Sequence, residues 1–231
     1  MTRFGTALVL VLAPVIGLGA APARAESSSR AAATIDRVVV RFASRETGGV
    51  AAPRFIFERE LAFEARLEAL VEGDVRDGAP PFRERHIRAA LERHVTETVL
   101  ESLGITPPPT PADISKRMEE ARLALIERVG GMIPLGEAAR SEGIGESELQ
   151  RLLRREAVAS LYLDRMVTPM LGASDAELRV LLRNERTPFA GRPFDEVSSA
   201  LRRWYVSARL AAALSAYYDG LRGRISMTVI R

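Results

Sequence analysis

The chain contains no cysteine. This absence excludes a disulfide framework, a metal site built on thiolates, and lipid attachment at a cysteine after a signal sequence. Histidine is also scarce, because His86 and His94 are the only two. They lie eight residues apart on one predicted helix. That spacing separates them by about 12 Å, which is too far for one shared metal ion. We therefore expect both histidines to be solvated.

The motifs of common enzymes are missing as well. The sequence has no nucleophile elbow, Gly-rich phosphate loop or His-Glu-x-x-His helix, and it lacks the carboxylate spacings that are typical of metal sites. Glu119 and Glu120, like Glu58 and Glu60, have the pattern of solvated helix faces. We therefore predict no catalytic residue, no metal site and no cofactor.

The first 25 residues have the pattern of a cleaved export signal. Arg3 supplies a positive start, an apolar run covers residues 7–18, and Ala23-Arg24-Ala25 matches the small-x-small cleavage pattern. The apolar run is short for a membrane span. We therefore predict cleavage, export to the periplasm and no stable membrane anchor afterwards.

The charge that remains after cleavage is nearly balanced. Loss of Arg3 and Arg24 reduces the basic residues from 33 to 31, against 30 acidic residues, so the net charge becomes +1. A marginal excess of arginine is not a basic patch, which argues against a nucleic-acid partner. A hydrophobic content of 47% is typical of a globular chain.

Hydrophobic periodicity predicts a mainly α fold closed by two terminal strands. The β-branched stretches 35–42 and 225–230 are the predicted strands. Because a lone strand leaves both edges unpaired, we expect these two to pair with each other. The predicted helices cover residues 55–72, 82–103, 110 or 113–129, 134–142, 145–168, 174–186 and 194–222.

The helix over residues 145–168 carries the clearest pattern. Apolar residues recur on one face at spacings of three and four, and the arginines at 151, 154 and 155 occupy the other side. The second half adds Tyr162, Leu163 and Met166, which is more apolar surface than one buried face requires. Such a surplus must be covered by another element or by a partner. The apolar face consists of Leu149, Leu152, Leu153, Ala157 and Leu161.

Several short segments follow one another in an order that resembles a known family. They are DRVVV at 36–40, LGI at 103–105, TPADI at 110–114, GIGESELQRLLR at 143–154, SDAEL at 174–178 and FDEV at 194–197. Together they resemble the SurA-type periplasmic chaperones, and the resemblance covers essentially the whole chain after the signal. The region of Gly48-Gly49 looks longer than the short turn of that family.

The resemblance implies a domain layout. Residues 1–25 are the signal peptide, 26–186 a multi-helix, SurA-like chaperone core with an N-terminal strand, 187–193 a linker, and 194–231 a C-terminal helix and strand that pack back on the core. In the family, a parvulin-type prolyl isomerase domain usually occupies the place of that linker. Because so few residues cannot form a sheet-based domain, we expect no isomerase activity.

The resemblance also implies a function. It predicts an ATP-independent periplasmic chaperone that holds unfolded or extended hydrophobic segments of exported proteins, including outer-membrane proteins. The alternative is a non-catalytic assembly or structural subunit that binds one dedicated periplasmic partner, since the two kinds of surface have the same composition. A prolyl isomerase with an unrecognised site comes third.

Methionines suggest where clients could bind. Thioether side chains adapt to varied partners and are common at promiscuous surfaces. They also fill gaps in ordinary cores, so each one taken alone has that simpler explanation. The predicted client surface consists of Met118, Met132, Met166 and Met170.

Overall fold

The computed structural model describes residues 36–75, 80–184 and 187–230. The predicted signal peptide, the segment 26–34 and the last residues of the predicted helix 174–186 lie outside these ranges. Residues 36–231 form one compact unit. Among the described residues, no helix combines the length and the apolar composition that crossing a membrane would take.

A small antiparallel sheet joins the two ends of the described chain. Strand β1 covers Val38–Ala43, β2 covers Arg54–Phe57 and β3 covers Ser226–Val229, in the spatial order β2-β1-β3. Val40 pairs with Val229 and Phe42 with Met227. The predicted pairing of the terminal strands is therefore confirmed.

Strand β2 is absent from the sequence prediction, which placed Phe55 and Phe57 at the start of a helix. In the structure, Phe55 pairs with Arg41 of β1, and Ile56 is fully buried. The helix begins only at Glu58, whose N–H donates to the carbonyl of Arg37. Pairing with an available strand edge thus overrides the local helical pattern.

Seven α-helices cover most of the described residues, so the predicted mainly α class is confirmed. Paired Ser/Thr and acidic side chains cap two of them, with Thr110 and Ser174 each accepting the backbone N–H three residues on. The helices are α1 Glu58–Val71, α2 Glu84–Ser102, α3 Pro111–Arg128, α4 Met132–Ser141, α5 Glu146–Tyr162, α6 Asp175–Arg183 and α7 Phe194–Arg222.

Helix α5 ends earlier than the sequence pattern predicts. Regular α geometry stops at Tyr162. The chain continues as a π turn over Leu163–Val167 and then as a 3-10 turn over Thr168–Leu171. Pro169 explains the change, because it has no N–H to donate and its ring clashes with the carbonyl one turn before it. The apolar second half of the predicted helix therefore does not continue as a regular α-helix.

Three clusters of buried side chains hold the elements together. The first joins α1, α3, α4 and α5, the second packs α1 and α2 under the sheet, and the third joins α6 to the first half of α7. Representative buried members are Phe63 and Leu153 in the first, Phe42 and Ile56 in the second, and Leu178 and Leu201 in the third.

Candidate functional site

Helix α7 is anchored at its two ends and lightly packed between them. It has 29 residues, which corresponds to about 43 Å. Its buried residues are Val197 and Leu201 near the start and Leu221 at the end. The apolar side chains between Leu201 and Leu221 are half-buried or exposed. This middle part of the helix therefore contributes no fully buried side chain to the core.

A cleft of about 560 Å³ lies beneath this middle part. Its walls come from α2, from α5 with the π turn that follows, from α7 and, through Glu68, from α1. The volume falls in the range of typical ligand sites. The apolar part of the lining consists of Ala89, Leu100, Ala159, Leu163, Ala211, Leu214 and Tyr218.

Two further cavities adjoin the cleft. On one side it shares Leu100, Leu163 and Leu214 with a smaller cavity of about 200 Å³, which Tyr162 and Tyr217 also line. On the other side it shares Glu92 and Tyr218 with a cavity of about 410 Å³ that reaches Met227 of β3. We call these three adjacent cavities, which share lining residues, the α7 groove.

The groove ends at an edge strand with little cover. Strand β3 pairs with β1 on one side only, and all four of its residues are exposed. Met227 and Val229 pair with the core-facing residues of β1, yet 38% and 64% of their surfaces remain accessible. The groove therefore opens onto apolar surface at this end.

A buried ionic network lies next to the groove, between α1, α2 and α5. Its centre is Arg155, which is only 7% exposed although the sequence pattern placed it on the polar side of its helix. The guanidinium donates to Glu64 at 2.5 Å, to Glu60 at 3.0 Å and to Glu97 at 3.1 Å. Because Glu97 also lines the groove, the network supports one of its walls.

Burial and charge act in opposite directions on the groups of this network. Burial alone raises the pKa of Glu64, but the charges of Arg155 and His94 dominate and lower this pKa to about 2. Burial raises the pKa of Glu97, and Arg155 offsets only part of that effect. Burial lowers the pKa of Arg155, yet the three carboxylates hold it above its ordinary value. The arginine is thus fixed as a cation.

The prediction of two solvated histidines is wrong. His94 is 4% exposed, with Nδ1 2.9 Å from a Glu64 oxygen and Nε2 3.5 Å from a guanidinium nitrogen of Arg155. His86 is fully buried, accepts the backbone N–H of Arg83 at Nδ1 and places Nε2 3.1 Å from Glu72. Both rings complete ionic networks between helices, an arrangement that depends on α1 packing against α2.

Each histidine faces carboxylates that could in principle join it in binding a metal ion. The first group is Glu60, Glu64 and His94, and the second is Glu72, Asp74 and His86. In the first, Arg155 already donates to both carboxylates. In the second, Nδ1 of His86 accepts a backbone N–H, so Nε2 carries the proton of the neutral ring and donates to the acids. In both groups, hydrogen bonds and ion pairs with neighbouring side chains already engage the carboxylates.

The four methionines of the predicted client surface do not line the α7 groove. Met118 packs against the first core cluster, and Met166 is half-buried in the π turn. Met132 and Met170 are 54% and 74% exposed. Contact of these side chains with clients stays a prediction.

Comparison with known proteins gave no match: no family model, no curated protein and no solved structure resembles the chain closely enough to be matched. The site must therefore be interpreted from its own geometry. One sequence signal does point to the groove. In the second half of α7 the half-buried residues recur at helical spacing on one face, and they are Leu210, Ala213, Leu214, Tyr217 and Tyr218.

Proposed function

We propose that this protein is an ATP-independent periplasmic chaperone of the SurA type, and that it holds extended hydrophobic segments of exported proteins in the α7 groove. The observation that carries the proposal is the groove itself. It is long, mostly apolar and open at β3, where a segment of unfolded chain could continue beyond it. An extended chain segment is the kind of ligand that a long apolar groove accommodates.

The packing of α7 supports this proposal. A chaperone must accept segments of different size, so one wall of its binding site has to adjust. Helix α7 is held by the buried Val197 and Leu201 at one end and by Leu221 at the other. Elements with few buried contacts open at low free-energy cost. The lightly packed middle of α7 is suited to move with its client.

The wall opposite α7 is suited to stay in place. Arg155 connects α5 to Glu64 of α1 and Glu97 of α2 through short hydrogen bonds. Leaving any of these groups unpaired in the interior is costly. One rigid wall and one adjustable wall together form a tolerant binding groove.

The absence of catalysis is part of the proposal. Helix α6 ends at Arg183 and α7 begins at Phe194, and this interval is too short for a prolyl isomerase domain. The proposed location in the periplasm rests on the predicted export signal, and the proposed clients are exported chains that have not yet folded.

Suppression of aggregation tests the function. The chain lacking its signal peptide should keep a denatured outer-membrane protein soluble in the absence of nucleotide. The variant Ala211→Trp places a bulky ring in the cleft and should reduce this activity several-fold. Ala212→Trp is the matched control, because Ala212 is also exposed on α7 but does not line the groove.

Three outcomes separate the hypotheses. Activity that is lost in Ala211→Trp and kept in Ala212→Trp supports the groove as the holding site. No suppression by the unmodified chain, together with tight binding to a single co-purifying protein, would support the dedicated assembly subunit instead. A rate enhancement of prolyl isomerisation that survives purification would contradict the non-catalytic assignment.

A further inference from the structure

The central cleft of the α7 groove is strongly acidic for an apolar site. Four glutamates and one arginine are the charged side chains of its lining. The acids come from α1, α2 and α5, so the negative charge surrounds the cleft instead of marking one helix face. They are Glu68, Glu92, Glu97 and Glu156, and the arginine is Arg93.

Two of these acids are neutralised within the fold. Glu68 forms a close ion pair with Arg93, and Glu97 accepts from Arg155 at 3.1 Å. The Arg155–Glu97 pair is well shielded from solvent, and the Arg93–Glu68 pair is partly shielded. These paired groups therefore have little net charge with which to attract or repel a bound molecule.

The other two acids keep most of their charge available. Glu156 is 3.8 Å from Arg128, which is itself 43% exposed. An ion pair with this much exposure to solvent is weak. Glu92 forms no ion pair with any basic side chain in the described part of the chain. One of these acids stands on the α2 wall and the other on the α5 wall of the same cleft.

The surroundings of Glu92 place its charge at the α7 side of the cleft. Burial and the neighbouring Glu92 carboxylate, in that order, raise the pKa of the Tyr218 phenol on α7. A polar group without a hydrogen-bond partner lies near Glu92 on the α2 wall. Thr96, one turn after Glu92, has a buried hydroxyl oxygen that makes no hydrogen bond to the described residues. A cationic group bound in the cleft would compensate the charge of the Glu92 carboxylate.

We propose that the α7 groove selects hydrophobic segments that carry a lysine or arginine, with the cation placed between Glu92 and Glu156. This inference rests on the proposed function and specifies which unfolded segments the site prefers. Complementary charge in a partly desolvated cleft adds affinity and excludes the wrong partner. An acidic segment meets repulsion from both walls and is rejected.

The preference is confined to the middle of the groove. At its β3 end the lining contains Arg88 and Arg222 as well as Glu92, so the charge there is reversed. A cation near the centre of a bound segment is therefore favoured, and a cation at the end that reaches β3 is not. The position of the charge within the segment becomes part of the selectivity.

Three labelled peptides test the proposal by fluorescence anisotropy. Each is an extended apolar peptide of about ten residues, long enough to span the roughly 30 Å between the anchors of α7. The central residue is lysine, glutamine or glutamate. At low ionic strength we expect the lysine peptide to bind about tenfold more tightly than the glutamate peptide, with the glutamine peptide between them. Added salt should reduce this difference.

Protein variants assign the preference to the two acids. Glu92→Gln combined with Glu156→Gln should bind all three peptides about equally. The control combines Glu119→Gln with Glu137→Gln, which removes the same charge from exposed positions outside the groove, and should keep the discrimination. Circular dichroism of both variants checks that they are folded.

The outcomes separate this inference from the function on which it rests. Equal binding of all three peptides by the unmodified chain overturns the charge preference and leaves the groove as a general apolar site. No binding of any peptide, with aggregation suppression also absent, overturns the proposed function itself. Self-association that disappears in Ala211→Trp would show that a second copy fills the groove, and that also overturns the inference.

Discussion

Helix α5 carries a clear apolar face and α7 a less regular one, and the two helices have different surroundings in the fold. Helix α5 has 17 residues, seven of them buried, including an arginine, whereas α7 has 29 residues and only three that are buried. An amphipathic stripe therefore shows that a helix has a partner surface, but it does not show how much of that surface the protein itself supplies. The uncovered part of the α7 stripe is what forms the groove.

Among substitutions on α5, removal of the Arg155 charge should lower the free energy of unfolding the most. Arg155→Met leaves the buried Glu64 and the neighbouring Glu97 without their main cation. Breaking a buried ion pair in this way costs about 3–5 kcal/mol of unfolding free energy. Urea denaturation measures this loss.

A second substitution shows whether the loss comes from the stranded charge. Adding Glu64→Gln to Arg155→Met should recover part of the stability, because the uncompensated carboxylate is then removed. If Arg155→Met alone were neutral, the network would not be the rigid wall that the comparison with α7 requires.

Truncation of leucines compares the two helices directly. Leu153→Ala on α5 empties a site that is 3% exposed and should cost about 2–5 kcal/mol. Leu214→Ala on α7 removes a half-buried side chain from the groove lining and should cost less than about 1 kcal/mol. Both are measured by urea denaturation. Similar losses for the two variants would mean that α7 is an ordinary core helix.

The buried network also predicts how stability depends on pH. The pKa of Glu64 lies at about 2, below its ordinary value of 4.5, so its contribution is present above that ordinary value and is lost as the pH falls towards 2. The loss is on the order of 3 kcal/mol. Glu97, whose pKa is raised, acts in the opposite sense, because its contribution is lost as the pH rises through that raised value, and it offsets part of the effect.

The measurement compares urea midpoints of the unmodified chain and Glu64→Gln between about pH 5 and pH 3. The stability of the unmodified chain should fall more steeply with acid than that of the variant. Parallel curves would show that Glu64 is not held ionised by Arg155 and His94.

Local patterns explain which parts of the fold could be predicted. The terminal strands, the capping box at Ser174 and the full extent of α7 all follow from neighbouring residues, and the structure agrees with them. The strand at Phe55 and Phe57 could not be foreseen, because it exists only through pairing with β1. Pairing between residues that are distant in sequence does not change the local hydrophobic pattern.

The site was harder to predict than the fold. Arg155 belongs to the polar side of its helix by spacing, and its burial depends on acids contributed by α1 and α2. The histidines were misjudged for the same reason. The apolar surplus at Tyr162 and Leu163 was visible in the sequence, and in the structure both side chains line a cavity together with residues of α7. Only the folded arrangement shows which surface that surplus serves.

Site-specific photo-crosslinking tests the central claim most directly. A photoreactive amino acid is placed at Ala211 or Ser215 in the groove, at Ala212 or Ala216 on the outer face of α7, and at the exposed Met132 or Met170. After mixing with a denatured outer-membrane protein, we predict crosslinks from the two groove positions and few from the other four. Crosslinks confined to Met132 and Met170 would contradict the account and return the client surface to the methionines.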